Sequence, residues 1–495
     1  MPTKLQQLLQ AGDFGALVSE LRNGRLEPSP APTHNAAQYD PKLHAINDPL
    51  QRPDKLVKVD PSAEDYGQVT SINPNTELTS DAGFRVERVA RIALAIQKLI
   101  VKRAVAFTFG NPVIYSSDAA TDQEQEVLQS VKRVFADIKE NTLNRRIARS
   151  LFSTQEVAEL WYPVETATEH NIYGFPTRYK FRVAIFSPVF GDKLWPYFDD
   201  SRDLIAFSRE FTRKDADGQT RNYFETYTAD AHYLWTAQSK DNTTGNWEMA
   251  EGYPKALPIG KIPVVYASQP QTEWADVQNL IDRLEKLLSN YADTNDYHAS
   301  PKIFVQGSIK GFARKGEAGA IIEGEDGASA QYLSWQSAPE SVRLEIDTLL
   351  RMVYTITQTP DISFDTVKGI GAVSGTALRL MFLDAHLKVQ DKAEIFDEYL
   401  QRRCNIVKAY IAQAAIKMAP AAQSLIIRPK ITPYIIEDEL SKVNILQAAN
   451  GGKQMASRAE TIRRLGWADD VAAEEAAIIA EEEAANSFAE GEPTF

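Results

Sequence analysis

The chain has 495 residues, enough for two to four domains and a sizeable core, and its apolar (43%) and charged (24%) shares are those of an ordinary globular protein. Its 54 basic residues stand against 67 acidic ones, a net charge of −13. Tight binding of nucleic acid needs a basic face that displaces counterions from phosphates, so this balance argues against strong general DNA affinity while leaving room for a protein that lets DNA pass.

The chain opens with a short helical pattern from Lys4 to Asn23. A stretch carrying Pro28, Pro30, Pro32, Pro41, Pro49, Pro53 and Pro61 follows. That density opposes regular structure and predicts an arm or strap lying over a surface or a neighbour. Val86, Val89, Ala93, Ile96 and Ile100 then recur at helical spacing, and two more helices are predicted from Asp122 to Glu140 and from Leu143 to Leu160. From Tyr179 to Ser268 the pattern changes to alternating, aromatic-rich runs such as YKFRVAIF and NYFETYTADAHYLWTA, separated by turn signals at Asp217-Gly218 and Gly245. This predicts an antiparallel β insert in a helical protein.

Helical periodicity returns with Val277, Leu280, Leu284, Leu287 and Tyr291 on one face, ended by Pro301. A glycine-rich segment with short strands leads to a second helix, Ser341 to Thr357, carrying Val342, Ile346, Leu349, Val353 and Ile356 and closed by Pro360. The two helices predict a protruding hairpin with a mobile tip. After the stretch DISFDTVKGIGAVSGTALRL the pattern stays helical from Ser374 to about Met418, some 65 Å if unbroken. SLIIRPKITP reads as one late strand returning to the β region. A terminal helical region then shows Ser457 and Glu460 at capping-box spacing with Gly466 as the stop, and its acidic tail is expected to fray.

Few residues suggest chemistry. Gly369, Gly371 and Gly375 precede a helix, as in a phosphate loop, but no lysine follows the last glycine and the spacing is not that of a dinucleotide fold. A hinge is the better reading, with Ser374 capping the helix behind it. His34, His44, His170, His232, His298 and His386 are scattered, with no pair at the spacing of a helical zinc site. Asp215-Ala216-Asp217-Gly218 lacks the remaining ligands of a calcium loop and reads as a hairpin turn. Asp199-Asp200 and Asp469-Asp470 read as turns or caps, since adjacent side chains diverge. Cys404 stands alone, which excludes disulfide frameworks and fits a cytoplasmic origin. The opening MPTKLQQLLQ lacks a signal peptide's apolar core. The nearest approach to a membrane span, Ile92 to Phe109, is interrupted by Lys98, Lys102 and Arg103. No cofactor and no enzymatic activity are expected.

The order of elements is distinctive, and several stretches resemble the portal proteins of tailed bacteriophages, of the siphophage type. KRAVAFTFGNPVIY is similar to the family's early helix and glycine-proline turn. RDLIAFSREFT, YFETYTADAHYLWT and PIGKIPVVYAS resemble its wing strands. DVQNLIDRLEKLLSNYADT resembles its first stem helix, SGTALRLMFLDAHLKVQDKAEIF the start of its long wing helix, and ASRAETIRRLGWADDVAAEEAAIIAEE its crown. The resemblance covers roughly residues 84 to 485.

It implies an α+β, mainly helical portal fold. Its parts would be an N-terminal proline-rich arm (1–80), a wing of helices and antiparallel β (81–270), stem helix 1 (271–300) and a clip (301–336). Stem helix 2 (337–358), a tunnel loop (359–373), a long kinked wing helix with a returning strand (374–437), and a crown with an acidic tail (438–495) would follow. It further implies a homo-oligomeric ring, typically a dodecamer, at one capsid vertex of the virion, assembled in the host cytoplasm. The ring would be a channel for double-stranded DNA and would engage the terminase large subunit, adaptor (head-completion) proteins, and major capsid and scaffolding proteins. Asp365, Thr366, Val367, Lys368, Gly369, Ile370 and Gly371 would line the channel. Lys310, Arg314, Lys315, Glu323, Glu325 and Asp326 would mark the docking clip. An α+β enzyme with an unrecognised site, or another virion structural protein, remains the alternative at this point.

Overall fold

In the computed structural model of the chain the described residues are 3–26, 30–58, 84–214, 218–237, 247–298, 302–306, 329–333, 339–361, 382–434, 439–450, 455–468 and 471–489. They belong to two units, Met1–Pro360 with Ala385–Pro433, and Asp361–Asp384 with Tyr434–Phe495.

The first unit opens with two helices, α1 (Thr3–Ala11) and α2 (Phe14–Arg22), where the sequence suggests one. Gly12 takes φ 71°, a left-handed value that glycine adopts without penalty, and Asp13 caps α2 by accepting the Ala16 N–H at 3.0 Å. The proline-dense stretch is more regular than its composition suggests. Pro32 and Pro41 stand at the start of α3 (Pro32–Tyr39) and of a 3₁₀ turn (Pro41–Leu43), where no N–H is required; a second 3₁₀ turn covers Ala45–Asn47. β1 (Lys55–Lys58) pairs antiparallel with β2 (Phe84–Glu87). The helical stripe expected from Val86 forms a helix only from Ile96, as α4 (Ile96–Phe109).

β3 (Ile114–Ser117) precedes α5 (Asp122–Asp137), which Thr121 and Glu124 cap reciprocally. Next, α6 (Glu140–Thr154) stops where Gln155 turns left-handed at φ 71°. The helix expected to reach Leu160 therefore gives way to a strand, β4 (Glu156–His170), whose β-branched and aromatic residues suit a pleated surface. Then come β5 (Thr177–Phe186), β6 (Lys193–Phe198), β7 (Leu204–Lys214), β8 (Thr220–Tyr227), β9 (Ala231–Ala237), β10 (Trp247–Met249), β11 (Lys255–Ala256) and β12 (Val264–Ser268). The expected antiparallel β insert is present as two sheets: β12-β4-β5, and a six-stranded sheet ordered β10-β9-β8-β7-β6 with β11 also on β9.

α7 (Gln278–His298) leads to the antiparallel pair β13 (Lys302–Gln306) and β14 (Ser329–Leu333), then to α8 (Pro339–Ile356). α9 (Leu383–Ala414) is the long helix read from the sequence, whose expected residues 374–381 lie outside those described. α10 (Ala419–Ser424) and β15 (Ile427–Lys430) follow; β15 pairs with β3, not with either larger sheet.

In the second unit, α11 (Glu439–Asn450), α12 (Arg458–Leu465) and α13 (Val471–Ala489) are helical. Ser457 accepts the Glu460 N–H at 3.2 Å and Gly466 (φ 74°) ends α12, as the sequence signals. The Glu460 carboxylate turns to Arg463 and Arg464 instead of completing the reciprocal cap. The acidic tail, expected to fray, is helical to Ala489, and Arg458 forks onto Glu482 of α13 at 2.7 and 2.8 Å.

Three apolar clusters hold the first unit. The largest joins α4, α5, α6, β4, the start of α7 and α9 through residues such as Ile100, Phe152, Trp161, Trp274 and Phe396. A second packs Leu5, Leu17, Val18 and Leu21 of α1 and α2 onto Phe224, Trp235 and Trp247 of the six-stranded sheet. A third lies between the sheets, at Phe186, Phe207 and Val264. So the N-terminal segment lies on its own chain. Arg25 reinforces this, donating to Glu156 of β4 at 2.6 Å and to the Leu194 carbonyl of β6 at 2.6 Å.

A charged centre sits inside the largest cluster. Arg403 of α9 has no exposed side-chain surface. Its Nε and Nη2 donate to the two Glu159 oxygens at 2.7 and 2.8 Å, and its Nη1 donates to Asn144 and Glu140 at 2.6 and 3.2 Å. Tyr115 of β3 donates to the same Glu140 oxygen. Removing one partner of such a buried pair strands the other charge in an apolar medium. Arg403→Met is therefore expected to cost about 3–5 kcal/mol in chemical denaturation; a loss under about 1 kcal/mol contradicts the account.

Candidate functional site

The sequence-derived candidates lie outside the described residues. Asp365 to Gly371 fall within 362–381, and Lys310, Arg314, Lys315, Glu323, Glu325 and Asp326 fall within 307–328. The structure describes segments that flank them in sequence: the α7 and α8 pair, the end of α8, and the early turns of α9.

At the end of α8 the chain is tied down residue by residue. The Thr357 hydroxyl donates to the Val353 carbonyl at 2.7 Å, Gln358 turns left-handed at φ 50°, and the Thr359 N–H returns to the Tyr354 carbonyl at 2.9 Å. Arg103 of α4 donates to the Pro360 carbonyl at 2.5 Å. From α9, Lys388 donates to the Thr357 carbonyl at 2.9 Å. Lys388 and Lys392 then share one carboxylate, Glu273, at 2.8 and 2.5 Å. Their spacing of four residues puts both ammonium groups on one face of the helix.

Glu273 immediately precedes Trp274, the buried residue that leads into α7. This single carboxylate therefore joins the start of α7 to the early turns of α9, and Lys388 carries the tie on to the end of α8 through the Thr357 carbonyl. Burial pushes its pKa up, but the two ammonium groups outweigh burial and leave it below the usual value. Burial lowers the Lys388 pKa, and half a share of one carboxylate does not restore it. The cluster holds two cations and one anion, so the carboxylate is its scarce component.

A second device runs along α7. The segment 88–95, read from sequence as helix, instead lies against α7 and gives it alternate backbone N–H groups. Ala90 donates to Asp293 at 2.6 Å, Ile92 to Ser289 at 2.9 Å, and Leu94 to Glu285 at 2.8 Å. Two residues of extended chain span about 6.6 Å and four residues of helix about 6 Å, so every second N–H of the strap meets every fourth side chain of the helix. The chain directions are opposed. Arg52 closes the far end, donating to the Ala90 carbonyl (2.8 Å), Asn290 (2.9 Å) and Asp293 (2.8 Å). Near the start of α7, Trp274 donates to Gln38 at 3.0 Å and stacks on Tyr39 of α3. Between α7 and α8, Arg283 meets Glu345 at 2.7 Å.

Two of the remaining candidates, Asp199 and Cys404, have structural surroundings. Asp199 accepts the N–H groups of Ser201 and Asp203 at 2.9 and 2.8 Å, the turn role expected of it. Cys404 is buried, and burial pushes its thiol up to about 12, so it stays protonated. Among the described residues no helix is long and apolar enough to cross a membrane. Sequence reading did not single out Glu273, Lys388, Lys392 or the acceptor row Glu285, Ser289, Asp293. The row carried a signal: three short polar acceptors four residues apart beside an apolar helix face.

Glu273→Gln leaves two largely buried ammonium groups without a carboxylate, and about 3 kcal/mol or more of stability is expected to go. Lys392→Met leaves the Lys388 pair in place, so denaturation midpoints should fall by less than half as much. Equal losses contradict the sharing.

A family model described as "Phage portal protein, SPP1 Gp6-like" matches residues 86–487. Among solved structures, the chain is similar to one in "Neck of empty GTA particle computed with C6 symmetry" (11% identity, 74% of this chain and 88% of that chain, TM-score 0.38). It is also similar to one in "Neck of native GTA particle computed with C12 symmetry" (11% identity, 74% and 88%, TM-score 0.39). A third similar chain is in "Virion of native gene transfer agent (GTA) particle" (12% identity, 75% and 88%, TM-score 0.36). Comparison with curated proteins gives no match. With the family model spanning most of its length, the chain belongs to the phage portal proteins of the SPP1 Gp6-like family.

Proposed function

We propose that the chain closes into a ring, a dodecamer as is typical of portals, at one vertex of a phage capsid, and that double-stranded DNA passes through the ring during packaging and ejection. The observation that carries the reading is the family match over residues 86–487. In this reading Trp274 to His298 and Pro339 to Thr357 form the stem. Residues 301–336 form the clip, where the terminase large subunit docks first and adaptor proteins later, on the mixed charges of Lys310, Arg314, Lys315, Glu323, Glu325 and Asp326. Major capsid and scaffolding proteins meet the ring during assembly in the host cytoplasm, and the finished ring belongs to the virion. The chain performs no chemistry of its own; the motor that consumes nucleotide is a separate protein.

Residues 359–373 form the tunnel loop in this reading, with Asp365 to Gly371 facing the bore. Physical chemistry supports a light touch there. Lys368 is the one basic residue among those seven, beside Asp365, and the whole chain is acidic. Each phosphate neutralised releases counterions and deepens binding, so a dense basic collar holds DNA where a sparse one lets it slide. Gly369 and Gly371 lower the cost of following a moving groove. The ends of such a loop need fixed points, and the ties of Thr357, Pro360 and Lys388 supply them.

Two measurements test the reading. Light scattering of the purified protein should give roughly 660 kDa, twelve copies of the 55.2 kDa chain; a monomer or dimer contradicts it. Lys368→Ala combined with Gly369→Pro and Gly371→Pro should leave that mass unchanged and lower the amount of DNA packaged per particle. Normal packaging by that variant removes the loop from the mechanism.

A further inference from the structure

The N-terminal segment meets α7 at one ionisable contact that the ties above do not use. His44 lies between the two 3₁₀ turns with 3% of its side chain exposed. Its Nδ1 is 2.7 Å from Glu285 Oε1, and its Nε2 is 2.7 Å from the Gln38 carbonyl oxygen. Carboxylate and carbonyl oxygens only accept, so both contacts are hydrogen bonds only when both ring nitrogens carry a proton. A neutral ring satisfies one and turns a lone pair on the other. The surrounding charges act the same way: Glu285 and Asp282 of α7 both favour the cation, while Lys98 of α4 is engaged by Asp40 at 3.4 Å. Glu285 Oε1 also accepts the Leu94 N–H, so the turn, the strap and α7 converge on one oxygen.

We propose that His44 is a proton-operated fastener, holding residues 38–47 and the strap 88–95 on α7 when charged and loosening them when its proton leaves. Burial alone lowers the His44 pKa, but the Glu285 carboxylate and the Gln38 carbonyl outweigh burial and leave it above the ordinary 6.5. A raised folded pKa sets the sign. The fastening is fully present below the unfolded value and is lost as pH rises through the higher folded one. It is tight below the ordinary 6.5 and slackens as pH rises through the higher folded value, whether or not α7 is a stem helix.

Hydrogen–deuterium exchange on the full chain, at about pH 6 and about pH 9 and corrected for intrinsic rates, tests this. Peptides covering 38–47 and 88–95 should lose protection at the higher pH, while peptides from α5 hold theirs. His44→Gln should be weakly protected at both pH values, without a pH step. Glu285→Gln, which keeps an acceptor for Leu94, should move the step to lower pH. Equal protection of the unmodified chain at both pH values, an unchanged step in His44→Gln, or an equal loss in α5 overturns the proposal.

Discussion

A guanidinium sealed from water persists in a protein core only when its donors are matched, and Arg403 meets that demand by drawing distant elements together. Its fork spans both oxygens of Glu159 on β4, and its remaining contacts reach Glu140 and Asn144 on α6. Glu159 Oε1 also accepts the Trp161 indole N–H, and Glu140 accepts the Tyr115 hydroxyl from β3. Apolar contacts tolerate small slides and repacking, whereas a planar fork on a carboxylate does not. The register of α9 against α6 and β4 is therefore fixed at one point. Lys388 and Lys392 lie about four and three turns earlier on the same helix, so where they meet Glu273 follows from where Arg403 sits.

From that fixed point the logic runs outward. Glu273 ties the beginning of α7 to α9, Lys388 ties the end of α8 to it, and the strap 88–95 then holds α7 along its own axis. The strap works because two repeats nearly coincide, two residues of extended backbone and one turn of helix. The described residues among 3–54 extend the same principle, lying on their own chain through apolar helices at one end and polar side chains at the other. All of this segment precedes the family-matched range, which starts at residue 86. Each of these ties holds a helix by its polar side chains.

Much of the fold was legible in the sequence. Apolar stripes at helical spacing marked α5, α7, α8 and α9, alternating aromatics marked the antiparallel strands, and Ser457 with Gly466 marked the limits of α12. Where reading failed, a partner distant in sequence had decided the outcome. Val86, Val89 and Ala93 have helical spacing, yet the N–H groups of Ala90, Ile92 and Leu94 go to α7 side chains, so that stretch stays out of a helix. Gln155 ends α6 through a left-handed backbone that no glycine announced. Pro32 and Pro41 begin helical turns because their position, not their number, decides their effect. The Arg403 centre joins residues 244 and 263 positions apart, a separation that local pattern cannot bridge. The glycine loop and the clip charges were singled out by family resemblance and stay proposals.

The central claim is that these anchors serve a ring whose glycine loops meet DNA in its bore. A cryo-EM map of the purified, assembled protein tests this most directly. The account predicts a closed ring with an axial channel, α7 and α8 around it, and residues 365–371 at its inner wall. A particle without a channel, or a ring with those residues on its outer rim, contradicts it.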